Sequence, residues 1–110
     1  MSKYENLLDI AEEIEGLLDL LFIGGLYSIQ KDIIEKLNHE AGKAGDYGLE
    51  YGAKLICRIA EGLEARRHSA DYDFTLLSDD CYRLSLYISF LKNGIQMKRV
   101  EELLLNTEQH

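Results

Sequence analysis

Apolar side chains recur along this chain in steps of three and four, and those steps divide it into helices. Leu7, Ala11, Ile14, Leu18 and Leu21 advance by 4, 3, 4 and 3, while Glu5, Asp9, Glu12 and Glu13 fall mostly off that line. An α-helix turns once in 3.6 residues, so this spacing gathers the apolar set on one face and predicts a helix over residues 3–23. Gly24 and Gly25 end it, because glycine takes the left-handed cap conformation without a steric cost. Ser28 suits the N-cap of a second helix over 29–44, with Ile34, Leu37, Ala41 and Ala44 on its inner face. Gly45 reads as its stop and Asp46 as the cap of a third helix over 47–68. Leu49, Ala53, Ile56, Ala60 and Leu63 form the third stripe, and Arg66, Arg67 and His68 sit where positive charge favours a helix C-terminus.

Residues 69–73 are polar and read as a turn. A fourth helix over 73–92 carries Phe74, Leu77, Cys81, Leu84, Ile88 and Leu91, in steps of 3, 4, 3, 4 and 3. Lys92, Asn93 and Gly94 close it, and Met97, Val100 and Leu104 mark a short fifth helix over 96–106. No strand-like alternation of useful length interrupts the pattern, and proline is absent. The connectors are short, which sets successive helices antiparallel. The expected fold is all-α and a single domain over 1–110: a four- or five-helix antiparallel bundle, or two stacked helical hairpins. A chain of 110 residues can bury a core of its own without metal or disulfides.

Charge narrows the choice of partners. The net charge is −8, and binding to a nucleic-acid backbone needs clustered Lys and Arg that release counterions. Direct nucleic-acid binding is therefore not expected, nor is attachment to an anionic membrane surface. The acids are concentrated early: residues 1–40 hold nine against three bases, whereas residues 46–68 hold four of each. The longest apolar run, residues 17–23, is broken by Asp19 and falls well short of the ~20 residues of a membrane helix. The first residues lead straight into an acidic amphipathic pattern with no signal-peptide character, and with two cysteines this points to a reducing cytoplasm.

Residues able to carry chemistry do not assemble into a recognisable motif. Glu35 and His39, like Glu64 and His68, stand four apart, whereas di-iron carboxylate bundles use Glu-x-x-His. That spacing is also ordinary pairing on a helix surface, so no metal site is assigned. Cys57 and Cys81 lack a Cys-x-x-Cys arrangement, and Cys81 lies mid-stripe as a small buried hydrophobe. A hairpin of the third and fourth helices would bring the two thiols to similar heights, so a disulfide is geometrically conceivable. Ser28, Ser69, Ser78, Ser85 and Ser89 have no base placed by a known motif, and no phosphate-binding glycine loop occurs. No catalytic residue and no cofactor are assigned, and the chain is read as a non-enzyme.

The glycines say more. Gly42, Gly45, Gly48 and Gly52 bracket the second turn beside Tyr47 and Tyr51. Glycine inside a helix costs about 1 kcal/mol relative to alanine, so a compensation is expected, and Gly48 with Gly52 could admit a close neighbour. The alternative is a shallow pocket or contact surface with the two tyrosines on its rim. On the fourth helix Leu76, Leu86 and Phe90 extend beyond the main stripe and leave a face for a partner, although Phe90 reads first as core. The candidate contact or pocket surface is thus Tyr47, Gly48, Tyr51, Gly52, Leu86 and Phe90.

Residues 17–63 resemble the helical segment that accompanies SWIM-type zinc fingers in bacterial proteins. The likeness rests on Leu17-Leu18-Asp19-Leu20-Leu21 running into Gly25-Leu26, then Leu37 and Ala41, Gly45, Gly48-Leu49, Ala53, Leu55-Ile56, Ile59-Ala60 and Leu63. The apolar helix after residue 73 also fits. A SWIM finger needs a Cys-x-Cys pair and a Cys-x-His pair, and this chain has neither. The resemblance therefore implies an accessory helical module, and no zinc-binding or other functional residue is carried over.

The leading expectation is a non-catalytic helical module acting by contact with a protein partner or with a second copy of itself. An acidic inhibitor is the alternative, such as an immunity protein, antitoxin or nucleic-acid mimic, whose Glu5, Asp9, Glu12, Glu13 and Asp19 dock a basic partner. That idea requires that Lys54 and Arg58 not neutralise those acids. A small-molecule binder with an interhelical pocket near Gly48, Tyr51 and Gly52 is the third.

Overall fold

The computed structural model describes residues 3–24, 31–69 and 74–108. Those residues form four helices: α1 (Lys3–Gly24), α2 (Lys31–Asp46), α3 (Glu50–His68) and α4 (Phe74–Glu108). No strand occurs among the described residues. Each helix packs on its neighbours in the cycle α1, α2, α3, α4 and back to α1, while among the described residues the backbones of the diagonal pairs α1/α3 and α2/α4 stay apart. This is a closed four-helix bundle, and specific pairs fix its directions. Glu13 meets Lys43 whereas Leu20 shares a groove with Lys36, so α1 and α2 run antiparallel. Gly52 meets Tyr87 whereas Arg58 meets Asp80, so α3 and α4 do too. Glu15 pairs with Lys92 and Tyr4 shares a crevice with Lys98, which sets α1 against α4.

The core is the set that the stripes mark, widened by a second column. Ala11, Ile14, Leu18 and Leu21 are buried, with Ile10 and Leu17 beside them; Ile56, Ala60 and Leu63 are buried, with Leu55 and Ile59 beside them. A helix flanked by two neighbours needs a broader apolar face than a two-position seam, and these extra residues supply it. Each such side chain contributes about 1.5–3 kcal/mol when taken fully out of water.

Three boundaries differ from the expectation. α2 runs through Gly45 to Asp46, and the stop is Gly48, whose φ of +82° is the left-handed conformation. The Leu49 N–H donates to the Ala44 carbonyl at 2.9 Å and the Gly48 N–H to that of Gly45 at 3.1 Å. That is a Schellman cap, closed by Leu49 packing back on the core. Asp46 is accordingly the last residue of α2 and caps nothing in α3, which starts at Glu50 behind Leu49 without a side-chain cap. The expected closure at residues 92–94 does not occur, and α4 runs unbroken to Glu108, absorbing the fifth helix. Gly94 keeps helical geometry, since interrupting the backbone ladder costs more than the glycine penalty. The caps read at Gly25 and Ser28, and the turn over residues 70–73, lie outside the described residues.

The α4 extension dominates the shape. The bundle measures 62 × 21 × 21 Å. Tyr4 lies beside Lys98, so α4 continues for about 15 Å past the end of α1 at 1.5 Å per residue.

Candidate functional site

The residues read as a contact surface separate into two groups. Tyr51, Gly52 and Tyr87 come together where α3 begins against α4. The Tyr51 and Tyr87 rings meet edge to face, 5.5 Å apart at 60°. Gly52 is buried because Tyr87 occupies the space of its missing side chain: a Cβ there would lie 2.7 Å from Tyr87 Cε1. The expected close approach is therefore real at Gly52, and a tyrosine ring makes it. Burial raises the Tyr87 hydroxyl above the usual tyrosine range, and a backbone hydrogen bond from Gly52 partly opposes this. Gly48 has a different role, as the cap of α2. Tyr47 is exposed beside it.

The second group is the outer face of α4. Leu86 is 42% exposed and Phe90 71% exposed, so Phe90 does not fill the core as first read. It lies two residues past the buried Ile88, about 200° around the helix. Met97, Val100 and Leu104 are exposed as well, at 65%, 54% and 59%. Sequence reasoning placed these three on a separate helix and so missed that they continue one line. Leu86, Phe90, Asn93, Met97, Val100 and Leu104 advance by 4, 3, 4, 3 and 4. The signal was present as a second 3/4 series, out of phase with the buried Leu77, Cys81, Leu84 and Ile88. A shallow groove of about 510 Å³ runs along this line past Asn93, Gln96, Met97, Val100 and Glu101.

Among the described residues two carboxylates are buried, Glu40 and Asp80. Glu40 occupies an inner position of α2, three residues past Leu37, beside the half-exposed Glu13 of α1. Burial, and then the adjacent Glu13 carboxylate, push the Glu40 carboxyl up to about 7. Its Oε2 has no partner, and protonation lets it donate to Glu13. Glu13 is held below the ordinary range by that bond and by Lys43, whose ammonium lies 2.6 Å away. Lys43 also stands 3.7 Å from Glu40. Asp80 is the second, with Arg58 Nη2 3.0 Å from its Oδ1 and Arg83 at 3.9 Å. Both clusters sit at helix–helix seams and clamp them.

The acids of α1 are only partly tied down. Lys43 pairs with Glu13 and Lys92 with Glu15, across the two seams that α1 makes. Lys54 and Arg58 lie on α3, the diagonal helix, and Arg58 is engaged with Asp80. Glu64 binds His68 at 2.9 Å, and this pair lowers the Glu64 carboxyl. Among the described residues no three His, Cys, Asp or Glu side chains converge as they would around a metal ion. The two thiols are free rather than joined: Cys57 faces solvent while Cys81 is in the core, where burial pushes it up to about 11. No helix among the described residues is long and apolar enough to cross a membrane. No family model, curated protein or solved structure matches the chain.

Proposed function

We propose that this protein is a non-catalytic helical module that works by protein–protein contact, with the outer face of α4 as its working surface. The observation that carries this reading is the line Leu86, Phe90, Met97, Val100 and Leu104, exposed over five helical turns while the opposite face of the same helix builds the core. Scattered surface hydrophobes are ordinary, but a contiguous apolar strip on one face marks contact. The continuation of α4 beyond the bundle supports the same reading. Residues 97–105 offer five exposed large apolar side chains with no core of their own to fill.

The test is co-expression of a tagged and an untagged copy, followed by purification through the tag. Wild type is expected to retain a stoichiometric protein, either the untagged copy or another chain, and Val100→Glu to lose it. Retention of nothing at stoichiometric level by wild type would overturn the reading.

The acidic-inhibitor reading keeps one observation in its favour. Asp9, Glu12 and Asp19 are exposed and make no ion pair among the described residues. A basic protein that binds wild type and loses affinity steeply with salt and with Asp9→Asn plus Glu12→Gln would favour that reading instead.

A further inference from the structure

We infer that the partner of the α4 face is the α4 of a second copy, lying parallel and in register. This rests on the interaction-module reading and names its partner. The spacing of the exposed line carries the first part of the argument. Leu86, Phe90, Asn93, Met97, Val100 and Leu104 alternate steps of four and three, the a/d spacing of a heptad, and that spacing is a seam for another helix with the same pattern. The line lies on the far side of α4 from Leu84, Ile88 and Ile95, and at its edge Phe90, still 71% exposed, borders a crevice with Tyr4 and Leu7 of α1. Two bundles can therefore stand back to back across the pair.

The area is sufficient. Its five apolar members are between 42% and 71% exposed. At roughly 150–200 Å² per large side chain they present about 500 Å². Two such strips facing each other take about 1,000 Å² out of water, the size at which a specific interface begins. Charge does not oppose the approach, although the chain is strongly acidic overall. In a parallel pair the flanking contacts are Ser89 with Gly94 and Gln96 with Glu101, so no like charges face each other there.

Asn93 decides the direction. It sits inside the seam between Phe90 and Met97 and is exposed. Parallel pairing in register puts Asn93 opposite its own counterpart, where two amides can each donate to the other. The antiparallel arrangement that pairs all six positions sets Asn93 against Met97 and leaves the amide without a partner, a costly burial. A single seam Asn is a recognised device for fixing register at some cost in stability.

Sedimentation velocity on the purified chain over a concentration series tests the pairing. The expected result is a reversible monomer–dimer equilibrium, shifted toward monomer at least tenfold by Met97→Glu or Val100→Glu. Both positions are exposed, so circular dichroism should show unchanged helix content in these variants. A monomer at every concentration would overturn self-pairing, and so would a dimer indifferent to both substitutions. The interaction-module reading would then rest on whether the tagged chain retains a different protein. Direction is read by oxidative cross-linking in a Cys57→Ser background, which removes the exposed native thiol. Asn93→Cys alone should form a covalent dimer. Cross-linking only in a mixture of Asn93→Cys with Met97→Cys would show the antiparallel pair and overturn the inference.

Discussion

A methyl group at position 52 would lie 2.7 Å from the Tyr87 ring, which sets two residue-scale effects against each other. Alanine favours a helix over glycine by about 1 kcal/mol. Overpacking a filled site typically costs ~1–3 kcal/mol, and the Tyr87 ring is held by Gly52 and by the Tyr51 edge. Gly52→Ala should therefore destabilise the fold by about 1 kcal/mol. At Gly45, by contrast, nothing lies within 4 Å of the added methyl. Gly45→Ala should stabilise by up to about 1 kcal/mol. Urea midpoints of the two variants give the comparison, and an increase in both would mean that Tyr87 gives way freely. Glu40 supplies a pH dependence of definite sign. Its carboxyl titrates near 7 in the fold and at 4.5 when free of it, so between those values the native state binds more protons than the unfolded chain. Stability is then highest below about pH 4.5 for this group and is lost as pH rises through 7. Glu40→Gln keeps the site neutral and should gain on the order of 1 kcal/mol at pH 8. The gain should shrink at pH 5, and an equal gain at both would assign the effect to something other than charge.

At the scale of elements, the inner faces were legible in the sequence and the ends were not. Ile14, Leu18, Leu37, Ile56, Leu63, Leu77 and Leu84 are all read correctly as core, because burial on one face imposes a 3.6-residue period that the order of apolar residues reveals. The stop of α2 was misplaced by three residues, since Gly45 and Gly48 look alike until the Leu49–Ala44 hydrogen bond selects one. Glu40 was also hidden. A carboxylate at an inner position is recognisable only once Glu13 is known to sit beside it. The largest miss was α4, where Asn93 and Gly94 look like a terminator. Its apolar residues lie on two faces, the inner set ending at Ile95 and the outer running from Leu86 to Leu104, so the outer series cannot be joined to the core stripe by eye. A glycine in mid-helix with nothing within 4 Å of its missing side chain is a weak point that alanine repairs. Gly94→Ala should strengthen α4 by up to about 1 kcal/mol. Backbone amides of residues 97–108 should then exchange with solvent up to about fivefold more slowly, while those of α2 stay unchanged. Equal slowing throughout would show that α4 opens only with the whole bundle.

For the molecule as a whole, stability and association are assigned to different lengths of the same helix. The buried set ends at Ile95, and every described side chain from Gln96 to Asn106 is exposed. Removing residues 99–110 therefore takes away no core side chain among the described residues and leaves Lys98 at the new helix end, where its charge meets the negative end of the dipole. It does remove Val100 and Leu104 from the outer seam. A dimer that forms only from folded chains raises the melting temperature with protein concentration, because binding draws the equilibrium toward the native state. Full-length protein should show that dependence, and the shortened chain should melt at one temperature whatever its concentration. In dilute solution, where both are monomers, the two should agree within a few degrees, since a change of 1 kcal/mol moves a domain of this size by roughly 4–8 °C. A shortened chain that melts far lower even in dilute solution would place part of the folding energy in residues 99–108. A concentration dependence that survives the truncation would move the contact to another face, and the exposed corner at Tyr47 and Tyr51 would be the next surface to substitute.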